Sequence, residues 1–188
     1  MGGLVEVRAT LGQSTVQRDV LVKLTASQNG PTGSESGQVA TTTADLTTGG
    51  GVGGVGGEGL GGAVDIGTAS TLATPSSNGS AQSLRFLYPY DGTVWPRGLL
   101  APLLQWDWST GDADAIRIDL ATTSGSFTWS GTFSRPAILQ QTGGKFIRHP
   151  IPQDIWQAAT ETAGTRSHNQ RDRLTVKLTI AKGGQAYG

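Results

Sequence analysis

The residue types that most often carry chemistry are few in this chain and lie far apart. Its 188 residues include two histidines, His149 and His168, and no cysteine. Neither histidine belongs to an H-x-x-x-H or H-E-x-x-H pattern, and the lack of cysteine excludes disulfides, zinc–thiolate sites and thiol nucleophiles. No G-x-S-x-G or S-x-x-K pattern marks a serine nucleophile. The sequence therefore predicts no catalytic residue and no cofactor, and both histidines are expected to be solvated.

Three aspartates surround one polar turn and could offer oxygens to a calcium ion. Asp107, Asp112 and Asp114 lie in the run DWSTGDAD, and calcium takes about six to eight oxygen ligands. Their spacing lacks an EF-hand loop, and aspartates in turns commonly cap nearby backbone amides. We therefore predict no metal site, and expect these carboxylates to cap their own turn.

Two groups of charged side chains are candidates for surface contacts. Asp119 and Lys177 fall on predicted neighbouring strands, where an exposed ion pair across the strands would contribute under about 1 kcal/mol. Arg166, Arg171 and Arg173 crowd one predicted loop and could contact an anionic polymer. An aspartate interrupts that series, so a solvated loop is the expectation.

The aromatic residues give the best candidates for binding. All twelve Phe, Trp and Tyr residues lie at or after Phe86, so a large aromatic core can form only in the second part of the chain. Flat rings on a strand face or rim can also stack on sugars. We take Tyr90, Trp95 and Trp108 as candidate glycan contacts, with packing in the core or at its rim as the alternative.

Charge and hydropathy exclude two other function classes. The formal net charge is zero; 3 basic and 6 acidic side chains precede residue 81, and 11 basic and 8 acidic ones follow it. This lacks the basic stripe typical of nucleic-acid binding. No run approaches the roughly 20 apolar residues that cross a membrane, and the first residues carry no recognisable export signal. We expect neither nucleic-acid binding nor membrane insertion.

The elements that must position these residues fall into three segments. Residues 1–27 hold two alternating runs joined by LGQST, which predicts a β-hairpin with one apolar face. Residues 28–82 are rich in Gly, Ser and Thr, centred on GGGVGGVGGEGLGG, and lack aromatic residues. This composition predicts a flexible, disordered linker, because it buries too little surface to offset the entropy of ordering. The alternative is that the hairpin folds back across the linker to complete a sheet.

Residues 83–188 have the alternating pattern of a folded β domain. Core faces are predicted at Leu104 and Trp106, at Ile116, Ile118 and Leu120, at Phe127 and Trp129, and at Leu174, Val176, Leu178 and Ile180. Pro152 is expected to begin a short helical turn that carries Trp156 onto the core, with Gly164 beyond its end. One-sided burial of the strands predicts two sheets packed face to face.

These motifs resemble two related families. The pattern APLLQW, a polar turn and AIRIDL resembles fibronectin type III and immunoglobulin-like modules, and the longer run FLYPYDGTVWPRGLLAPLLQW resembles a module of large exported multidomain bacterial proteins of the myxobacterial type. The hairpin resembles the closing hairpin of a bacterial immunoglobulin-like repeat. The resemblance implies an all-β sandwich of seven strands, here expected to lack its last strand, in a fragment cut at both ends.

The resemblance also implies the function. It favours a non-catalytic structural and interaction module, a spacer or adhesion domain of a secreted or cell-surface multidomain protein. Its expected partners are neighbouring domains of the same polypeptide and surface proteins or glycans. The alternative is a carbohydrate-binding accessory module of an extracellular enzyme, in which Tyr90, Trp95 and Trp108 would contact the sugar.

Overall fold

A computed structural model describes residues 2–163 and 172–188, which form three sheets. The strands are β1 (Gly3–Leu11), β2 (Ser14–Val22), β3 (Leu24–Asn29), β4 (Arg85–Tyr88), β5 (Leu103–Asp107), β6 (Ala115–Thr122), β7 (Phe127–Ser134), β8 (Arg148–Pro150), β9 (Leu174–Lys182) and β10 (Gln185–Tyr187). The helices are α1 (Ile66–Ala73), α2 (Ile138–Thr142) and α3 (Gln153–Ala163), with 3₁₀ turns at Gly33–Gln38, Thr43–Leu46, Val52–Gly54 and Gly79–Gln82.

Two of the sheets enclose the core. The five-stranded sheet has the order β10-β9-β6-β7-β3, and the three-stranded sheet has the order β4-β5-β8. Their pairings are antiparallel except that of β3, which lies parallel to β7. The protein is therefore mostly β, as the alternating sequence predicts.

Alternating side chains from both sheets meet in one buried cluster. It includes Leu104 and Trp106 of β5, Ile116, Ile118 and Leu120 of β6, Phe127 and Trp129 of β7, and Leu178 and Ile180 of β9. A single face of each strand is apolar, so the two sheets bury those faces against each other. The predicted core faces are confirmed at these positions.

Helix α3 packs against β6, β7 and β9 of the five-stranded sheet. It runs for 11 residues, longer than the short turn the sequence predicts, and buries Trp156, Ala159 and Thr162. These positions are three residues apart and therefore share one helix face. The predicted role of Trp156 is confirmed, while Gly164 lies outside the described residues.

Residues 28–82, which we call the Gly-rich segment, differ from the predicted disordered linker. Its Leu60 and Leu72 are 2% and 0% exposed. The Leu60 N–H donates to the Gln38 carbonyl at 2.8 Å, and the Ser134 N–H of β7 donates to the Gly62 carbonyl at 2.8 Å. The segment has too few apolar residues to form a core of its own. Its Leu60 and Leu72 are instead buried against the β domain.

The first strand of the β domain also lies earlier than predicted. β3 begins at Leu24 and pairs with β7 from Leu24 opposite Phe127 to Asn29 opposite Thr132. The predicted boundary between residues 27 and 28 therefore falls inside a strand. The sequence offered a disordered linker or a hairpin that folds back to complete a sheet, and neither alternative matches. The strand that extends the sheet is β3, which follows the hairpin.

Helix α1 covers the outer face of the same sheet. Its Leu72 packs with Ala115, Ala181 and Ala186, one each from β6, β9 and β10. Small residues on the strands allow the helix to approach closely. The Asp65 carboxylate accepts a hydrogen bond from the Thr68 N–H at 2.9 Å, which caps the helix N-terminus.

The last strand, expected to be missing, is present. The chain turns at Gly183 and Gly184, and β10 pairs with β9 over Gln185–Tyr187. The outer edge of β10 is covered, because the Ser77 N–H donates to the Ala186 carbonyl at 3.2 Å. The prediction that this strand is missing was wrong. Three residues are enough to form β10, because one of its edges pairs with β9 and the Gly-rich segment covers the other.

The hairpin β1–β2 forms a sheet of its own. Its register runs from Gly3 opposite Val22 to Leu11 opposite Ser14, with Gly12 at φ 62° in the two-residue loop. This agrees with the predicted hairpin. Its base contacts the domain through the Gly2 N–H, which donates to the Thr162 hydroxyl at 3.1 Å.

Candidate functional site

Residues 89–102, which we call the aromatic loop, connect β4 to β5 across the top of the smaller sheet. The Thr93 N–H and hydroxyl both donate to the Tyr90 carbonyl, at 3.1 and 2.6 Å, and form a tight turn. The Trp95 indole N–H donates to the Leu100 carbonyl at 3.3 Å and ties the two arms of the loop together. These bonds constrain the turn and connect the two arms of the loop.

A row of aromatic rings joins this loop to the core. Edge-to-face contacts run from Tyr90 to Tyr88, with centroids 6.3 Å apart, from Tyr88 to Trp95 at 6.0 Å, and from Trp95 to Trp156 at 5.7 Å. Trp156 is 6% exposed and belongs to the core, whereas Tyr90 is 74% exposed. The exposed ring is therefore connected to the hydrophobic core by a series of edge-to-face contacts.

The aromatic loop exposes aliphatic side chains as well. Val94, Leu99 and Leu100 are 80%, 53% and 50% exposed. Single exposed apolar residues are ordinary on protein surfaces, but several on one fixed loop are typical of a binding surface. The loop is the candidate site that the geometry favours.

The three candidate glycan contacts have different surroundings. Tyr90 is largely exposed and Trp95 is half-buried in the aromatic row. Trp108 is 3% exposed and packs edge-on against Tyr187 at 5.5 Å, so its assignment as a surface contact was wrong. The alternation that buries Leu104 and Trp106 continues to residue 108 and turns its side chain into the core.

His149 is buried, and the expectation that it is solvated was wrong. It is 0% exposed, lies 4.5 Å from the Phe133 ring, and its Nε2 accepts a hydrogen bond from the Gly61 N–H at 3.0 Å. Burial lowers the pKa of His149 to about 3, which keeps the ring neutral. The sequence gives no sign of this, because the covering backbone lies 88 residues earlier.

The three aspartates near the predicted calcium turn use their carboxylates separately. Asp112 accepts from the Phe146 N–H at 2.7 Å, Asp114 from the Gly183 N–H at 2.7 Å, and Asp107 lies 3.4 Å from Arg85. Burial acts to raise the pKa of Asp112, but the Phe146 N–H and the other groups that favour the carboxylate outweigh it, and the pKa is lowered. Among the residues that the structure describes, no group of His, Asp or Glu is placed to hold a metal ion.

The predicted ion pair between Asp119 and Lys177 is replaced by another. The two residues are opposite each other on β6 and β9, as predicted, but the Asp119 carboxylate instead binds the Arg117 guanidinium at 2.7 Å. The Asp119 hydrogen bonds raise the pKa of Arg117. Arg166, Arg171 and His168 lie outside the described residues, and Arg173 is exposed.

Sequence reasoning missed two buried carboxylates in the Gly-rich segment. Glu58 binds the Arg148 guanidinium through two oxygens, and its hydrogen bonds raise the pKa of Arg148. Glu35 accepts from the Gln28 amide at 3.0 Å and from the Thr32 N–H at 2.7 Å. Glu58 is the one acid in the run GGGVGGVGGEGLGG, which also contains Leu60. A single carboxylate among glycines was the feature of the sequence that could have indicated a buried ion pair.

The described part of the chain has shallow depressions, one of about 270 Å³ on the hairpin beside Glu6 and Arg18. A depression of about 140 Å³ lies between β4 and β9, lined by Leu84, Phe86, Lys177 and Leu178 among others. Pockets that enclose small-molecule ligands usually measure about 300–1,000 Å³. The aromatic loop is therefore a better candidate site than these depressions.

Comparisons with known proteins add no relative. The chain matches no protein family, no curated protein and no solved structure. Its class is defined by its own structure, as a mostly β protein whose three- and five-stranded sheets share one core. None of the helices within residues 2–163 and 172–188 has the length and apolar character to cross a membrane.

Proposed function

We propose that β4 to β10 form an immunoglobulin-like sandwich of the fibronectin type III kind. The support is the strand order: the first, second and fifth of these seven strands make one sheet, and the fourth, third, sixth and seventh follow one another in the other. Seven antiparallel strands in two facing sheets with a buried strand tryptophan are typical of such modules. β3 and the Gly-rich segment are additions to that frame.

The function that this frame favours is non-catalytic: a spacer and adhesion module of a secreted or cell-surface multidomain protein. The aromatic loop carries this proposal, because it presents Tyr90, Val94, Leu99 and Leu100 to solvent from a rigid base. Fixed apolar groups bind a partner at low entropic cost. The partner is a protein surface, on a neighbouring domain of the same polypeptide or on another surface protein.

A photo-crosslinking experiment in the intact parent protein tests this proposal. Benzoylphenylalanine replaces Tyr90 or Leu99, and replaces the exposed Gln140 as the matched control. The proposal expects both loop positions, and not the control, to crosslink to one region of one protein. The variant Leu99→Ser with Leu100→Ser should lose the contact and keep the urea midpoint of unfolding. Equal crosslinking from Gln140 would contradict the proposal.

Carbohydrate binding is the second candidate, favoured by the exposed face of Tyr90. Tyr90 is 74% exposed and contacts Tyr88 edge-to-face, so it offers a ring for stacking on a sugar. On a glycan array, the intact chain and Tyr90→Phe should bind the same glycans, while Tyr90→Ala should bind none. An array without signal removes this candidate and leaves the crosslinking test unaffected.

A further inference from the structure

The hairpin β1–β2 presents a surface that the proposed function does not use. It is a two-stranded sheet, and within the described residues nothing pairs with the outer edge of β1. Val5 and Val7 of β1 are 48% and 51% exposed, and Val16 and Val20 of β2 are 58% and 46% exposed. An isolated two-stranded hairpin is marginally stable in water, so further pairing would stabilise it.

The edge of β1 has little of the usual protection against pairing. Natural edge strands are short or bulged, or carry proline or charged side chains, lysine above all. β1 spans nine residues, GLVEVRATL, with neither proline nor lysine, and its register with β2 has no shift. It is therefore suited to accept another strand.

The backbone groups that face outward from β1 follow from the hairpin loop. Leu11 and Ser14 flank a two-residue loop, so they form a hydrogen-bonded pair, and such pairs alternate along the ladder. The N–H and C=O groups of Leu4, Glu6, Arg8 and Thr10 consequently point away from β2. These are the groups that a second strand would bind.

We propose that this edge pairs antiparallel with β1 of a second copy of the chain. A two-fold axis beside Val7 pairs all nine residues, with Gly3 opposite the partner's Leu11. The same register places Glu6 opposite the partner's Arg8 and Arg8 opposite the partner's Glu6. Full overlap and charge complementarity therefore coincide in one register, and opposite charges across strands stabilise the pairing.

The competing symmetric registers oppose like charges. A shift of the axis by one residue places Glu6 opposite the partner's Glu6, or Arg8 opposite the partner's Arg8. The outer edge of β2, paired over its full nine residues, would centre on Arg18 opposite the partner's Arg18. Like charges in directly opposite positions destabilise a sheet, so the charges select the β1 edge and this register.

Both charged side chains are exposed, and within the described residues they contact side chains of their own hairpin, where the Arg8 Nε also donates to the Gln17 side-chain oxygen at 2.8 Å. Arg8 contacts Glu6 of its own strand at 3.3 Å, and the two side chains are 60% and 52% exposed. Exposed pairs of this kind hold their partners weakly, because water solvates both charges. Pairing of two copies would convert two hairpins into one four-stranded sheet, a size that is stable in water.

Sedimentation velocity of the full chain with charge-swap variants tests the proposal. The natural chain should dimerise, while Glu6→Arg and Arg8→Glu should each raise the dimer dissociation constant at least about tenfold. Mixing the two variants should restore dimers, because the two guanidinium groups of one copy would then face two carboxylates of the other. The double variant Glu6→Arg/Arg8→Glu should also dimerise.

Asp154→Arg is the matched control, since it replaces one exposed acid by arginine on helix α3, outside both the hairpin and the aromatic loop. It should leave the dimer unchanged. A natural chain that stays monomeric at about 100 μM, where a dissociation constant of roughly 10 μM gives mostly dimer, would overturn the proposal. Dimers that persist in both single variants would also overturn it, because another surface would then hold the copies together.

Discussion

At the scale of single residues, His149 and Glu58 decide how the Gly-rich segment is held. The His149 imidazole accepts a hydrogen bond from the Gly61 N–H at 3.0 Å. The Glu58 carboxylate binds Arg148, which is the neighbour of His149 in β8. One short strand therefore anchors residues that precede it by 88 and 90 positions. Both contacts need backbone of the Gly-rich segment close to the sheet, so both would be lost if that segment detached.

The pKa of His149 predicts a dependence of stability on pH. Its value is about 3 in the folded chain, against an ordinary 6.5, so the unfolded chain binds the proton more tightly. The contribution is fully present above pH 6.5 and is lost as the pH falls toward 3. Between pH 7 and pH 5 the free energy of unfolding should decrease by about 2 kcal/mol.

Urea titrations at the two pH values measure this change. His149→Gln should be less stable at pH 7, but its free energy of unfolding should vary little down to pH 5. His168→Gln is the matched control and should keep the slope of the natural chain. A natural chain with equal stability at both pH values would show that His149 titrates normally.

At the scale of elements, the Gly-rich segment is stabilised by close approach of backbones. A Cβ added at Gly61 would overlap the Ser134 carbonyl oxygen, whereas one added at Gly37 would meet nothing within 4 Å. Glycine is therefore required where the segment crosses the end of β7, and is dispensable in its first 3₁₀ turn. The sequence predicted disorder from the number of glycines, but some of them, such as Gly61, allow the segment to pack closely on β7.

Alanine substitutions separate these two kinds of glycine. Gly61→Ala should lower the free energy of unfolding by roughly 2–4 kcal/mol, because backbone must move to relieve the clash. Gly37→Ala, with φ outside the left-handed region, should change it by less than about 0.5 kcal/mol. Equal, small effects in thermal or urea unfolding would mean that the segment does not pack on β7.

At the scale of the whole molecule, the β domain extends from β3 to β10 with the hairpin projecting from it. Trp129 of β7 donates its indole N–H to the Gln28 side chain of β3 at 3.1 Å, and the same glutamine binds Glu35. The sandwich and the Gly-rich segment therefore share hydrogen bonds through β3. A boundary at residue 83 would separate groups that contact one another.

Truncated chains test this extent. A chain that begins at residue 23 should unfold within about 1 kcal/mol of the full chain at concentrations where both are monomeric, because the hairpin adds little burial. A chain that begins at residue 31 loses β3 and exposes the edge of β7, and should be destabilised by more than about 2 kcal/mol. Equal stability of chains beginning at 23 and at 83 would contradict the shared fold.

Local patterns were enough to predict the hairpin, most of the strands after residue 83 and much of the core, but neither β3 nor β10. The alternation of Leu104 and Trp106, and of Phe127 and Trp129, is confirmed by burial. The same alternation places Trp108 on the buried face, where it is 3% exposed, so its selection as a glycan contact was wrong. For the candidate site, the sequence indicated Tyr90 and Trp95. The contact between Trp95 and Trp156 could not be predicted, because the two residues are 61 positions apart in the chain.

The sequence by itself determined the class of secondary structure, the aromatic core and the hairpin, because side-chain periodicity and turn residues act over a few positions. Only the tertiary structure decided the fate of the Gly-rich segment, the burial of His149 and the presence of β10. Each depends on a surface supplied by distant residues: β7 for Gly61, the Gly-rich segment for His149, and Ser77 for the edge of β10. A segment that cannot form a core alone is ordered when another part of the chain offers the complementary face.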